Sequence, residues 1–412
     1  MADQARRRIN VAEAAALIQS RMQVHSRSHG WGTVPVPIDA AQGEVLRQII
    51  TAERDQPPFD RVTMDGIAIR HSAFASGRRS FTVAGTQGAG SEPVPLPDDG
   101  SCVVIMTGAA LPPGADTVVP VERITRDGAT ASVAADYRPA PGQFVHRRAS
   151  DHSQGATLLS PGCTLGPTEL AILTVGGSAT VEVARRPTIA VVSTGDELVD
   201  VGLPLAPTQI RASNDRAIAA ALANRGFLDC ERLHLPDDRA VLESTLGELL
   251  TGQDVLILTG GMSMGEFDYV PRVLADLGME LVFHKVLQRP GMPLWFGVSP
   301  GGKPVFALPG NPVSSLVCLV RYVAPALVAA LGATPRPDIV VRLAQHVRFE
   351  PDLTYFLPVT LAWGADGECL ATPRPTNTSG DFVALGGTDG FVELPRGLSD
   401  FAPGYTARFH PW

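Results

Sequence analysis

Three glycines within six residues, Gly260, Gly261 and Gly265, follow the apolar run Asp254 to Thr259 and lead on to Asp268. Glycine takes positive φ at no steric cost, so a loop of this kind brings bare N–H groups close to a ligand, a geometry suited to phosphate or another anion. Asp268 stands where it either caps the helix expected over Tyr269 to Leu277 or offers a carboxylate to that ligand. A second loop, Thr194-Gly-Asp-Glu-Leu198, sets Asp196 and Glu197 just past another apolar run. A third passes through Pro309 and Gly310 to Asn311, an N-cap by type, with Pro312 at the first helical position.

Such loops need strands to aim them. Asp254 to Thr259 is too short for a helix, is rich in branched side chains and stops at paired glycines, as a buried parallel strand does. Pro187 to Ser193 and Lys303 to Leu308 have the same texture. Asn214 to Asn224 reads as a helix closing on Gly226, and Asp237 to Leu250 as one that opens on paired aspartates and closes before Gly252. Strands alternating with crossover helices predict a doubly wound α/β sheet. In such a sheet a ligand lies outside the carboxyl ends of the strands, where the strand order reverses.

At 412 residues the chain exceeds what one hydrophobic core serves, so about two to four domains are expected. With 44% apolar and 18% charged residues it has the composition of a globular protein, and 41 Gly and 35 Pro imply many turns. A formal net charge of −8 argues against a nucleic-acid-coating surface. Cys102, Cys163, Cys230, Cys318 and Cys369 are widely spaced and odd in number, which predicts reduced thiols in a cytoplasmic protein. Arg6 to Arg8 ahead of Val11 to Ile18 mimics a signal peptide, but Glu13 interrupts the apolar run and no small-residue cleavage site follows. Ser314 to Leu331 is the most apolar stretch; Arg321 and Pro325 interrupt it, so it reads as a core helix and no membrane span is expected.

Along the chain, Ile9 to Met22 is helical by pattern and Glu44 to Glu53 reads as a second helix stopped by Pro57 and Pro58. From Phe59 to Tyr137 short alternating runs such as Cys102 to Ile105 and Thr117 to Val119 predict an all-β insert. Thr168 to Thr174 is short and helical. After Pro335 to Pro337, Ile339 to Val347, Thr354 to Ala362, Glu368 to Thr372 and Gly390 to Leu394 predict a small barrel or sandwich. The expected division is a linking domain over 1–58 and 138–186, a β insert domain over 59–137, an α/β domain over 187–334 and a C-terminal small β-barrel domain over 335–412.

The three loops occur together with Arg289-Pro-Gly-Met-Pro293 and, upstream, with Pro57-Pro-Phe-Asp60, Met64-Asp-Gly66, Met106-Thr-Gly-Ala109 and Leu111-Pro-Pro-Gly-Ala-Asp116. In these motifs and their order the chain resembles the molybdopterin molybdenumtransferases, the family of MoeA and the gephyrin E-domain, over nearly its whole length. The resemblance implies a multidomain α/β plus β protein with a central molybdopterin-binding module. It implies Mg2+-dependent insertion of molybdate into adenylated molybdopterin with release of AMP, by a homodimer with composite sites and with transient contact to the pathway's adenylyltransferase. That adenylyltransferase looks like the module alone, whereas this chain extends well beyond it on both sides.

Carried onto this chain, the resemblance makes Asp65, Asp151, Glu197, Asp237 and Asp268 catalytic, with Glu197 and Asp268 first among them as Mg2+ ligands. It assigns substrate binding to Thr107, Ser193, Thr194, Gly195, Asp196, Gly260, Gly261, Ser263, Lys285, Arg289, Pro309, Asn311 and Pro312. Lys285 and Arg289 flank the rigid Pro290 to Pro293 turn and are the natural anion partners. The chain departs from the family pattern at Met292 and Arg289, each in place of a lysine, at Ile67 in place of a tyrosine, and around Asp151. Loss of one cation weakens anion binding by about 1.5–3 kcal/mol. The alternative reading is a non-catalytic or degenerate molybdopterin-binding scaffold paralogue, for which Met292 is the main argument.

Overall fold

The computed structural model describes residues 8–28, 31–261 and 269–412. The described chain divides into two compact units. One contains the residues up to Arg47, Pro161–Gly166 and Val181–Trp412; the other contains Gln48–Ser160 and Pro167–Thr180.

The first unit is built on a six-stranded sheet ordered Cys230–Leu235, Ile189–Thr194, Val255–Thr259, Pro304–Leu308, Trp295–Val298 and Glu280–His284. The first four strands run parallel, Trp295–Val298 runs antiparallel to them, and Glu280–His284, antiparallel to that strand, runs again in the first direction. Every residue of Ile189–Thr194, Val255–Thr259 and Pro304–Leu308 is buried, because both faces are covered. Alternation divides the side chains. Ile189, Val191, Ile257 and Phe306 pack with Ile218 and Leu222 of the helix Asn214–Ala223 in one cluster. Ala190, Val192, Leu256 and Leu258 pack with Leu242, Leu246 and Leu274 in the other. From Ile189–Thr194 the chain adds Cys230–Leu235 on one side and then crosses back to add Val255–Thr259 on the other. The order therefore reverses beside Thr194 and Thr259, and the crevice is expected at their carboxyl ends.

Local boundaries follow capping chemistry. The helix Arg239–Gly252 opens on Asp238, whose carboxylate accepts from the N–H groups of Ala240 and Val241. The expected start at Asp237 thus moves by two residues, since Asp238 is the capping acceptor. The apolar stretch forms Pro312–Cys318, a π turn Leu319–Val323 and Ala324–Ala330. By length and hydropathy Pro312–Ala330 could cross a membrane, yet 72% of it is buried inside the protein. Arg321 is accommodated because its Nε donates to Glu393 Oε2 at 2.7 Å. Burial works against the Glu393 carboxylate, but His410 and Arg321 beside it hold its pKa down to about 2.

Five strands, Ile339–Leu343, Thr354–Trp363, Cys369–Pro373, Gly390–Leu394 and Thr406–Pro411, close into a barrel. Its core includes Val341, Leu357, Val392 and Phe409. Gln288–Arg289 adds to the barrel, pairing in parallel with Thr354 and Tyr355.

The second unit holds a six-stranded sheet ordered Thr117–Pro120, Gly66–Ile69, Ser101–Ile105, Ser80–Gln87, Thr130–Val133 and Ile124–Asp127. The expected 59–137 insert lies within it and also carries a short helix, His71–Ala75. A Cβ on Gly66 would lie 1.9 Å from the Val119 carbonyl oxygen, so only glycine lets these strands close up.

The helix expected over Glu44 to Glu53 does not form. Val45 and Leu46 bridge to Thr164 and Val183, and Ile50–Thr51 pairs with Thr157–Leu159. Branched and apolar residues here serve sheet partners more than 100 positions away, which outweighs local helical spacing. The amino-terminal helix runs Val11–Ser28 and the helix expected at Thr168 runs Pro167–Val175. All five cysteines are free.

Candidate active site

At the carboxyl end of the central sheet, Thr194 and Thr259 give way to glycine. Gly195, Gly260 and Gly261 all have positive φ, at 143°, 97° and 59°. A Cβ on Gly260 would lie 2.4 Å from the Thr194 carbonyl oxygen, and one on Gly310 would lie 3.4 Å from Gly260 Cα. Three loops therefore meet backbone to backbone; a side chain on Gly260 would force two of them apart, whereas Gly310 lies just at contact distance.

Asn214 ties two of these loops together. Its Nδ2 donates to Thr259 Oγ1 at 2.9 Å and to the Gly310 carbonyl at 2.8 Å. By sequence Asn214 is the start of a helix; the bridge exists only in the tertiary structure. Among the described residues the hydroxyls of Ser193 and Thr194 and the Asn214 Oδ1 are buried without a hydrogen-bond partner, so this edge keeps unused polar atoms beside the glycines.

The acidic residues differ in their state. Asp196 is exposed and its Oδ1 accepts from the Asp237 N–H at 3.1 Å, which links two of the expected residues directly. Glu197 is also exposed, and its carboxylate lies across Gly195, within 2.5–2.9 Å of where a Cβ would be. It makes no side-chain hydrogen bond or ion pair among the described residues. Asp268 and Ser263 lie outside the described residues. The helix after them spans Val270–Asp276 with Tyr269 at its cap position, so the expected start at Tyr269 shifts by one residue.

Asn311 is the N-cap residue of Pro312–Cys318, as its type suggests, but its side chain does not cap. Asn311 Nδ2 donates to Ser379 Oγ at 2.8 Å, and the Val313 N–H donates to the Ser379 carbonyl at 3.1 Å. Ser379, from the loop before the Gly390–Leu394 strand, thus joins the sheet edge; nothing local in its sequence distinguishes it. Lys285 has φ 78°, a left-handed conformation rare for a side chain with a Cβ, held by its N–H to the Leu294 carbonyl at 3.0 Å. Arg289 is exposed. Neither cation has a hydrogen bond or ion pair from its side chain among the described residues.

In the second unit the upstream motifs converge. Asp65 Oδ1 accepts from both the N–H and the hydroxyl of Thr107, each at 2.7 Å. The Thr107 N–H, then its hydroxyl, hold the Asp65 carboxyl below its ordinary pKa. Leu111 N–H donates to the Asp60 carbonyl at 2.7 Å and Gly108 N–H to the Val62 carbonyl at 2.8 Å, so the quoted motifs are neighbours in space. Asp60 also receives Arg147 at 2.6 Å, and Asp151 receives His146 Nε2 at 3.0 Å.

Among the described residues no group of three or more His, Cys, Asp or Glu side chains could hold a metal ion. Mg2+ does not require one: one or two carboxylates suffice when phosphate and water complete the octahedron. The unpartnered Glu197 carboxylate has the donor chemistry for that ion.

Family models agree with this architecture. Residues 9–177 match the MoeA N-terminal region, domains I and II; residues 190–329 match a probable molybdopterin binding domain; and residues 340–412 match the MoeA C-terminal region, domain IV. A molybdopterin molybdenumtransferase of Synechocystis sp. is 38% identical over 405 residues, covering 98% of this chain and 100% of that one. One from Staphylococcus epidermidis is 31% identical, covering 90% of this chain and 89% of its own. The crystal structure of a molybdopterin biosynthesis MoeA protein from Pyrococcus horikosii superposes with a TM-score of 0.79 at 32% identity, covering 98% of this chain and 99% of that one.

Proposed function

Since the chain belongs to the MoeA family and is an enzyme of molybdenum cofactor biosynthesis, a molybdopterin molybdenumtransferase, we propose that it inserts molybdate into adenylated molybdopterin with Mg2+ and releases AMP. The observation that carries this reading is the glycine-lined meeting of three strand ends beside the unpartnered Glu197. Gly195, Gly260, Gly261 and Gly310 let backbone approach the substrate, with Ser193 and Thr194 as polar neighbours and Pro309 and Pro312 stiffening the third loop; Ser263, outside the described residues, is assigned to substrate by the family match alone. Asp196 keeps its tie to Asp237 and orders the acidic loop.

Glu197 and Asp268 are the carboxylates that would hold Mg2+, which when bound neutralises charge on the adenylate phosphates. Lys285 and Arg289 receive the molybdate oxyanion. Arg289 offers up to five donors and a permanent charge. Asp65, Thr107 and Asp151 complete the site from the second subunit of a homodimer, a reading supported by their family match and their distance in sequence from the sheet-edge residues. The four-domain division, cytoplasmic location and transient contact with the pathway's adenylyltransferase belong to the same proposal.

The test is incubation of the protein with adenylated molybdopterin, Mg2+ and molybdate. AMP release coupled to formation of molybdenum cofactor is expected. Tight pterin binding without AMP release would instead identify a scaffold paralogue.

A further inference from the structure

Lys285 and Arg289 are useful to an oxyanion only if the turn between them and Pro293 is rigid, and that turn contains Gly291, which has φ 93°. A free turn of this kind loses conformational entropy each time it meets a ligand. The side chain set against this turn is Gln288, 1% exposed. Its Nε2 lies 3.2 Å from the Pro290 carbonyl oxygen, 3.1 Å from that of Gly291 and 3.4 Å from Cys318 Sγ. Cys318 adds its own weak donation to the Gly291 carbonyl at 3.6 Å.

The orientation of the amide is set from behind. The Tyr322 hydroxyl donates to Gln288 Oε1. Burial keeps the Tyr322 phenol protonated well above its ordinary range, so it is a dependable donor, and the amide nitrogen must face the turn. Tyr322 lies in the π turn Leu319–Val323, a local widening of the helix that changes which residues face the sheet. A Cβ on Gly291 would lie 2.6 Å from Cys318 Sγ and 2.7 Å from Gln288 Nε2, so the turn sits directly on this polar group.

We propose that Gln288, oriented by Tyr322, is a positioning residue for the oxyanion-binding turn: it holds the Pro290 and Gly291 carbonyls so that the exposed Arg289 guanidinium stands ready for molybdate. This rests on the transferase reading for the identity of the oxyanion, while the positioning itself concerns only the turn. The test uses full-length protein with Gln288→Met, which keeps the approximate volume and removes both hydrogen-bonding ends, and Tyr322→Phe, which keeps the ring and frees the amide to rotate. Two quantities are measured at one salt concentration: molybdate binding by calorimetry without pterin, and the molybdate dependence of AMP release. Both variants are expected to weaken molybdate about five- to tenfold in both assays, with turnover at saturating molybdate within about twofold of the unaltered protein. A merely structural role predicts a lower unfolding temperature with unchanged molybdate dependence, and that result overturns the proposal. If the unaltered protein binds molybdate but releases no AMP, the transferase reading fails while the calorimetric comparison still judges Gln288. If it binds no molybdate, both fail.

Discussion

Asp65 and Glu197 are both exposed carboxylates at the end of a sheet, yet they are prepared in opposite ways. Asp65 is gripped by its own chain: two donors from Thr107 fix one oxygen and hold the group ionised. Glu197 is held by nothing among the described residues and lies over a glycine that leaves it room. A carboxylate already supplied with hydrogen bonds has less to gain from a cation, whereas one without partners gains the most. The contrast fits the proposed role of Glu197 as an ion ligand and leaves to Asp65 the proposed role of a fixed, oriented carboxylate.

Substitution of the free group tests this most severely. Glu197→Gln keeps shape and removes charge, so AMP release should fall about a hundredfold or more at ordinary Mg2+, with partial recovery as Mg2+ rises. Asp268→Asn should behave the same way. A loss that no Mg2+ concentration relieves would mean that Glu197 acts on the substrate and not on the ion, and would break the contrast.

The next test asks whether the two regions serve one site. At ordinary Mg2+, Asp65→Ala and Asp268→Asn should each retain about a hundredth of full activity or less as homodimers. In an exchanging equal mixture half the dimers are mixed and each has one intact site of two, so about a quarter of full activity should return. A monomer by sedimentation, or demonstrated exchange without rescue, contradicts a composite site.

A smaller effect separates grip from charge at Asp65. Thr107→Val removes the hydroxyl donor and leaves the N–H, so the Asp65 pKa should rise toward its ordinary value of 3.8 in a carboxyl NMR titration. The folded pKa is depressed, so the stability it contributes is present above pH 3.8 and fades as pH falls through the folded value. The destabilisation caused by Thr107→Val should therefore be largest near neutral pH and shrink in acid. Activity should fall only several-fold, since Asp65 itself remains.

What could be read from sequence was what short-range pattern controls. The alternation from Ile189 to Val192 encodes two covered faces, and the glycines after Thr194 and Thr259 announce loops that approach a ligand. What could not be read depends on partners distant in the chain. Glu44 to Glu53 has helical spacing, but Leu46 and Ile50 answer to strands elsewhere. Asn311 has the type of a cap and stands at the cap, yet Ser379 claims its side chain. Asn214 and Gln288 are ordinary amides until folding sets them against Gly310 and Gly291. Thr406–Pro411 is a strand beyond those the sequence predicts, and it pairs with both Ile339–Leu343 and Gly390–Leu394 to close the barrel.

The smallest expected effect concerns Met292, on the turn that Gln288 holds. The Met292 carbonyl accepts from the Val286 N–H at 2.9 Å, so its backbone belongs to the rigid part of the turn while its side chain is only partly buried. A lysine there would add a compact cation to a fixed frame, whereas methionine contributes an apolar, polarisable group. Arg289 already supplies charge and donors three residues earlier, so the added cation should lower the molybdate concentration for half-maximal insertion only about two- to fivefold. Arg289→Ala should raise it by far more. Both belong at one salt concentration, because exposed cation–anion contacts are screened. The contrast between gripped and free groups adds a condition: Met292→Lys should lose its benefit in the Gln288→Met background, where the frame is loose, and keep it in Thr107→Val, where the altered grip lies in the other unit. Equal benefit in all three backgrounds would mean that the lysine acts as a diffuse charge, and that the turn does not define where the oxyanion sits.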